Sequence, residues 1–390
     1  MAELRQNTWS LNAWYDQDYA GNVSYIEPKD LYAVGGENDH GQLGLNDKVL
    51  RSSPIQVPGT NWDADNIRYV GFHSLLRKTD GTLWTMGDND QGQLAQNNRT
   101  DHSSPTQIPG TNWSSVASLD GSSYGTISGA LKSDGTLWMW GRNKYGVLGQ
   151  NQGGADGVKR SSPTQIPGTT WSSASAGPSQ VNAIKTDGTL WTWGENSNGR
   201  QGLNTPQSAN RSSPVQLPGT WTKTIVTSSG ACFGWKSDTE LWSWGYHGRG
   251  TIGQGNYQSI SSPLQIPGSW PSGVGKFSGF FRAASAVKSD GTLWVWGWNN
   301  KGQVGDNSTI ARSSPTQVPG TTWSQVGSGS YQTLATKTDG TLWGWGLNSK
   351  GQLGLNDKVS YSSPVQIPGT TWSGPVNAGR EITSASQVPQ

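Results

Sequence analysis

Lys185–Gly194 reads KTDGTLWTWG, and the chain repeats it as KTDGTLWTMG from Lys78, KSDGTLWMWG from Lys132, KSDGTLWVWG from Lys288 and KTDGTLWGWG from Lys337. A degenerate copy, KSDTELWSWG, starts at Lys236, and a worn first copy, PKDLYAVG, spans Pro28–Gly35. Asp-Gly between two apolar runs is a strong hairpin signal, because both residues tolerate positive φ. The Leu-Trp-x-Trp that follows alternates faces, with Trp191 and Trp193 on one side and Leu190 and Thr192 on the other. The unit is strand–turn–strand, written seven times.

Outward from the hairpin, Trp-x-Trp-Gly leads into G-x-N-x-x-G-Q-L-G, cleanest at Gly346–Gly354. A polar loop follows, then S-S-P-x-Q-[IV]-P-G-T-x-W, as at Ser161–Trp171 and Ser313–Trp323. The Pro of this motif falls at 54, 105, 163, 214, 263, 315 and 364, a period of about 50 residues. That is room for four short strands and their turns, the size of a propeller blade. Pro at both ends of the x-Gln-Ile segment assigns it to a sheet edge. The expected fold is all-β: a seven-bladed β-propeller of four-stranded blades over residues 31–390, preceded by an aromatic, acidic arm at 1–30. Hairpin halves and Trp-initiated halves both number seven, so the chain starts and stops in mid-blade. The C-terminal strands are therefore expected to close the first blade, Trp372–Ser386 pairing with Leu31–Gly35. The competing closing strand is Asn22–Ile26, against 382–386.

Composition bounds function. The net charge is +2 with 14% charged residues, which gives no field for gripping nucleic acid or acidic lipid. The lone Cys232 reads as a small buried hydrophobe. No apolar run reaches the roughly 20 residues that span a bilayer, and the first residues lack the apolar core of a secretion signal. The expectation is a protein made in a cytoplasm, without membrane insertion.

Eighteen of the 22 Trp occupy three recurring slots: the two of the Trp-x-Trp pair and the one after Pro-Gly. A residue reused in every copy reads as packing. The Asn of G-x-N (Asn89, Asn143, Asn196, Asn299, Asn348) reads as a turn residue bonding nearby backbone, and the Asp of Asp-Gly likewise as a turn residue. His40, His73, His102 and His247 fall in different repeats without ligand spacing, so no metal site is assigned. Asp88-Asn-Asp90 resembles the start of a calcium loop only superficially, since its siblings are Arg142-Asn-Lys144 and Glu195-Asn-Ser197. No phosphate-cradling loop and no nucleophile–base pair stands out, so neither catalytic residues nor a cofactor is expected.

The run WGxNxxGQLG, followed by a Pro and a return hairpin every 50 or so residues, resembles the regulator of chromosome condensation repeat. That resemblance covers about residues 31–386 and implies a seven-bladed β-propeller whose function sits on loops and insertions. The wording of S-S-P-x-Q-I-P-G-T-x-W and D-G-T-L-W looks most like repeat proteins encoded by marine bacteriophages, notably cyanophages. Three functions known in the family find no match in the residues. A nucleotide-exchange member uses a β-wedge insertion and a basic tail, but the largest loop excess here is four residues and the tail is acidic. A plant UV-B photoreceptor uses G-W-R-H-T, where this chain has GSSYGT at Gly121, GPSQVN at Gly177 and GSYQTL at Gly329. A β-lactamase inhibitor of this fold is secreted.

Binding remains, and the repeats act as internal controls: where one copy is aromatic or basic and its siblings are small, packing does not dictate the choice. In the turn after Trp-Gly this singles out Arg142, Tyr145, Tyr246, His247, Arg249, Trp298 and Lys301. Trp9, Trp14, Tyr15 and Tyr19 in the arm form a second candidate surface. Tyr, Trp and Arg dominate interface energetics. With the phage resemblance, these features imply a non-enzymatic virion structural or adhesion protein. Its arm would bind other virion proteins, and its loop face a host-surface protein or glycan. The alternatives are a cytosolic bacterial protein-interaction scaffold and a carbohydrate-binding lectin.

Overall fold

The computed structural model describes residues 30–52, 55–70, 72–119, 126–153, 158–369, 372–378 and 382–387. Every regular element among them is a strand apart from one short 3-10 turn at Ser197–Gly199. The Lys-x-Asp-Gly-Thr hairpin forms where expected, but only its Gly takes positive φ, Gly188 at +79°. Asp187 instead works through its carboxylate, which accepts from Thr189 N at 2.9 Å and Thr189 Oγ1 at 2.7 Å. Thr189 Oγ1 in turn accepts from Trp191 Nε1 at 2.9 Å, so the motif ties its own first Trp down. The same relay runs through Asp80, Asp134, Asp290 and Asp339. The Thr hydroxyl bond holds each of these carboxyls below its ordinary range. The degenerate copy has Glu240 in place of the Thr, and Trp242 Nε1 is buried without a partner.

One blade shows the pattern. Trp171–Ala176, Gln180–Lys185, Thr189–Gly194 and Arg211–Thr220 pair in that order, all antiparallel. The last strand carries the Ser-Ser-Pro motif on the outer edge, as Pro in a strand requires.

The expected ring of seven equal four-stranded blades needs correction. Six blades are each folded from one continuous stretch of chain, beginning at Trp62, Trp113, Trp171, Lys223, Phe277 and Trp323. What remains is a composite sheet made from both ends of the chain: Asp30–Gly36, Ile55–Gln56, Trp372–Ala378 and Ile382–Gln387. Its outer strand is only two residues long. The physical reason is that the first repeat lacks its inner half, so six repeats are complete in sequence. Nor are the blades uniform, because Ser118–Leu119 leaves its own blade to pair in parallel with Ser175–Ala176 of the next. Leu31 pairs with Ser386 and Gly35 with Thr383, so residues 382–387 fill the closing position. The rival segment 22–26 lies outside the described residues.

The three Trp slots do three different jobs. The Trp after Pro-Gly is buried, and in five repeats its indole N–H bonds back to its own turn, as Trp171 Nε1 to Pro167 O at 3.2 Å. The second Trp of the pair is fully buried and reaches the preceding blade: Trp193 Nε1 to Val147 O at 2.8 Å, Trp296 to Thr251 O at 2.8 Å, Trp345 to Gln303 O at 3.0 Å. These indoles staple blade to blade. The first Trp of the pair is only half-buried. The Asn of G-x-N behaves as a turn residue, Asn299 Oδ1 accepting from Val304 N at 2.8 Å while its Nδ2 donates to Ile310 O at 3.0 Å.

Candidate binding face

The turn after Trp-Gly and the turn between the two inner strands meet at one end of each blade. In five blades besides the 277–318 blade, as in that one, the residue after Trp-Gly donates its N–H to the carbonyl just before the second strand. The pairs are Asp88 to Phe72, Arg142 to Thr126, Glu195 to Ser179, Tyr246 to Gly230, Trp298 to Arg282 and Leu347 to Tyr331. Backbone geometry is therefore common, and only the side chains vary.

Three consecutive blades use that freedom to build one cluster. Phe281, Trp298 and Tyr331 form a triangle of rings, with centroids 5.8 Å (Phe281–Trp298), 5.4 Å (Trp298–Tyr331) and 5.8 Å (Phe281–Tyr331) apart. The Arg282 guanidinium carbon sits 4.9 Å from the Phe281 centroid, 5.4 Å from Trp298 and 5.5 Å from Tyr246. Arg249 approaches Trp298 to 5.7 Å. Each contact is of cation–π geometry. Among the described residues no carboxylate lies within 4.0 Å of either guanidinium, and Arg282 Nε is buried without a hydrogen bond. The 171–220 blade differs, since its Arg200 is neutralised by Glu195 at 2.8 Å.

Of the residues expected from sequence, Tyr246, Arg249 and Trp298 join this cluster. Arg142 and Tyr145 stand at the equivalent turn of the 113–165 blade, with the 171–220 blade between; Tyr145 contacts its neighbour Lys144 at 4.8 Å. Lys301 is exposed, and its backbone N–H donates locally to Gln303 Oε1 at 2.9 Å. His247 is a correction. It occupies the Asn slot and is fully buried, Nδ1 accepting from Ile252 N at 3.0 Å, the bond Asn299 makes to Val304. Burial holds its imidazole down at about 4. It is a turn residue with a ring, and it offers no binding surface. Trp9, Trp14, Tyr15 and Tyr19 lie outside the described residues.

Phe281, Arg282 and Tyr331 were missed. Compared copy by copy, the inner turn marks them: Arg282 and Tyr331 stand where other copies have Gly230, Ser179, Thr126 and Phe72, and Phe281 stands where they have Ser229, Pro178 and Gly125. Cys232 is buried as expected, and burial raises its thiol to about 12.

The same end of the ring also brings His40 together with Asp88 and Asp101 of the next repeat, with ligand atoms within 4.8 Å of one another. Burial and the neighbouring carboxylates raise the Asp88 carboxyl. Lys48 Nζ lies 3.6 Å from Asp101 and His40 Nδ1 3.3 Å from it, so the group is an ion-pair network that supplies its own cation. No helix among the described residues is long and apolar enough to cross a membrane.

A ring of repeated Trp-rich blades with variable turns at one end is the architecture of a protein-interaction propeller. The chain belongs to the regulator of chromosome condensation (RCC1) repeat family: the repeat matches residues 80–124, 134–184, 187–233, 290–336 and 339–385, more than half of its length. It is 28% identical over 305 residues to the ultraviolet-B receptor UVR8 of Arabidopsis thaliana, covering 74% of this chain and 66% of UVR8. It is 26% identical to the mitochondrial RCC1 domain-containing protein RUG3 of the same plant, covering 70% of this chain and 62% of RUG3. The chain thus spans somewhat less than two thirds of these relatives. Among solved structures, Prp20p from Saccharomyces cerevisiae matches with a TM-score of 0.77 at 19% identity, over 96% of this chain and 94% of that one. These relationships carry the family and the fold. They do not carry the phage origin or the virion role that the sequence wording suggested.

Proposed function

We propose that this protein is a binding module that docks a partner protein on the Trp-Gly end of the ring, at the face built by Tyr246, Arg249, Phe281, Arg282, Trp298 and Tyr331. The observation that carries the reading is the pair of guanidiniums held over aromatic rings with no carboxylate within 4.0 Å among the described residues. Such an arrangement fits a partner that presents acidic groups beside apolar ones. Buried Arg and aromatic anchors are the side chains on which interface affinity concentrates. Protein partners have precedent in the fold, since Prp20p was crystallised in connection with its binding to Gsp1p and histones.

The test is quantitative affinity capture with the full chain and with Arg249→Ala/Arg282→Ala, at low and high salt. A partner of the face is retained by the wild type, lost by the double variant and weakened by salt. Retention by both proteins at equal strength defeats the proposal. The finer reading, a virion protein anchored through the arm at residues 1–30, rests on sequence resemblance alone. Mass spectrometry of purified virions decides it, absence of the protein ending that reading.

A further inference from the structure

The first Trp of each pair packs against the core yet leaves part of its indole exposed. Next to it, at three of the junctions between blades, lies a pocket of similar construction. One is lined by Gly149, Gln150 and Asn151 of one blade with Trp171, Lys185 and Trp191 of the next, and has a volume of about 340 Å³. Its counterpart at Asn307, Trp323, Lys337 and Trp343 measures about 290 Å³. A third, at Gln254, Trp270, Lys288 and Trp294, measures about 430 Å³ and is larger where Gly255 replaces the Asn.

Each pocket has a preorganised floor. The two indoles meet edge to face, Trp171 and Trp191 with centroids 6.4 Å apart at 81°. The Thr189 hydroxyl fixes the Trp191 ring by its Nε1. Lys185 Nζ lies in the notch, 4.4 Å from the Trp191 centroid and 5.1 Å from Trp171. Lys78, Lys132, Lys236, Lys288 and Lys337 repeat this placement. Among the described residues none of these six ammoniums has a carboxylate within 4.0 Å. Asn151 and Asn307 are held by Ser hydroxyls on Oδ1, at 3.3 Å in each case, which turns the amide donor away from that bond.

The lining therefore offers hydrogen-bond donors beside a flat indole, and the one carboxylate among the three linings, Asp306, is already paired with Arg312. A ligand that fits carries many oxygen acceptors and one apolar C–H face, the partial positive charge of which suits the negative face of an aromatic ring. Volumes of this size sit at the low end of small-ligand sites, with room for one or two sugar rings, roughly 300 Å³ upward. We infer that the inter-blade pockets bind carbohydrate, each taking a pyranose ring against its half-buried Trp with the Lys ammonium donating to ring or hydroxyl oxygens. Repetition then has a use: similar pockets at several blade junctions suit a polymer of identical units, and linked sites gain avidity of about 10²–10⁴ without new contacts. These sites share no residue with the Trp-Gly face, so the inference goes beyond the protein-binding reading.

The experiment uses the full chain on an array of immobilised neutral and acidic oligosaccharides, with decaproline as the competing probe. It is followed by Trp-fluorescence titration with the best hit as single unit and as polymer. Saturable glycan binding, tighter for the polymer, is expected. Lys185→Gln/Lys288→Gln/Lys337→Gln should weaken it at least tenfold without moving the melting temperature, and Arg282→Ala should leave it unchanged. If the triple variant does not fold, Lys185→Gln alone should lower the saturating stoichiometry by one site. A flat array at saturating protein, decaproline binding in place of sugar, or binding unaltered in the Lys variants overturns the inference.

Discussion

At the hairpin end of the blades the chain places the same Lys, Asp, Thr and Trp almost every time, whereas at the Trp-Gly end the equivalent positions read Asp88, Arg142, Glu195, Tyr246, Trp298 and Leu347. Backbone hydrogen bonds are the same in both regions from blade to blade, so the contrast is one of side-chain freedom. Where a side chain closes a hydrogen-bond relay or staples two blades, each copy meets the same demand and the same residue recurs. Where it projects from a turn already held by backbone, nothing in the fold selects it. Variation among copies then reports what lies outside the ring.

Breaking one staple and one face residue separates the two regions most strongly. Trp193→Ala removes a fully buried indole and its bond to Val147 O. It should cost about 3–5 kcal/mol in denaturant unfolding, and an unchanged midpoint would show that the staple is dispensable. Arg282→Ala should do the reverse: little change in melting temperature, and a loss of about 2 kcal/mol in partner affinity, roughly thirtyfold, by titration calorimetry.

The pH response sharpens the comparison within one turn. Burial lowers the His247 imidazole from 6.5 to about 4. Its neutral form is the native one, so the stability it contributes is complete above 6.5 and is lost as pH falls toward 4. Thermal melts of the wild type and His247→Asn should therefore diverge below pH 6.5, the variant declining less. The smallest effect is a repair. Glu240→Thr supplies the hydroxyl that the degenerate hairpin lacks beneath Trp242, and should add about 1 kcal/mol by urea unfolding. No gain would mean that Trp242 Nε1 is satisfied by solvent.

The repeat made the strand order, the hairpins and the edge position of Ser-Ser-Pro legible, because each rests on local periodicity and turn chemistry. Blade uniformity was not legible: counting half-repeats hides that the first lacks its inner strands, and that Ser118–Leu119 crosses to the next blade. The face was half legible. Tyr246, Arg249 and Trp298 stood out in one turn, but Phe281, Arg282 and Tyr331 come from a turn distant in sequence that only folding brings alongside. His247 misled because a ring in a variable turn looks like a ligand, whereas the Asn slot is defined by a buried bond to the residue five further on. The first Trp of each pair was grouped with the second, and folding separates them by burial and by indole partner, Thr189 for Trp191 and Val147 of the preceding blade for Trp193.

The composite sheet ties assembly to the pairing of two strands far apart in sequence, Asp30–Gly36 and Ile382–Gln387. Asp30 pairs with Gln387, so joining them closes a loop of almost the whole molecule. The entropy of that closure grows as the logarithm of loop length and amounts to about 5 kcal/mol in its length-dependent part. The six continuous blades can each form from local sequence as the polypeptide emerges, but until Ile382–Gln387 is made, Asp30–Gly36 keeps an unpaired edge. An unpaired edge is where one nascent chain joins another. The strand Ile382–Gln387 thus acts as a latch, and a chain cut short before it is left with a ring that can close only on a neighbour.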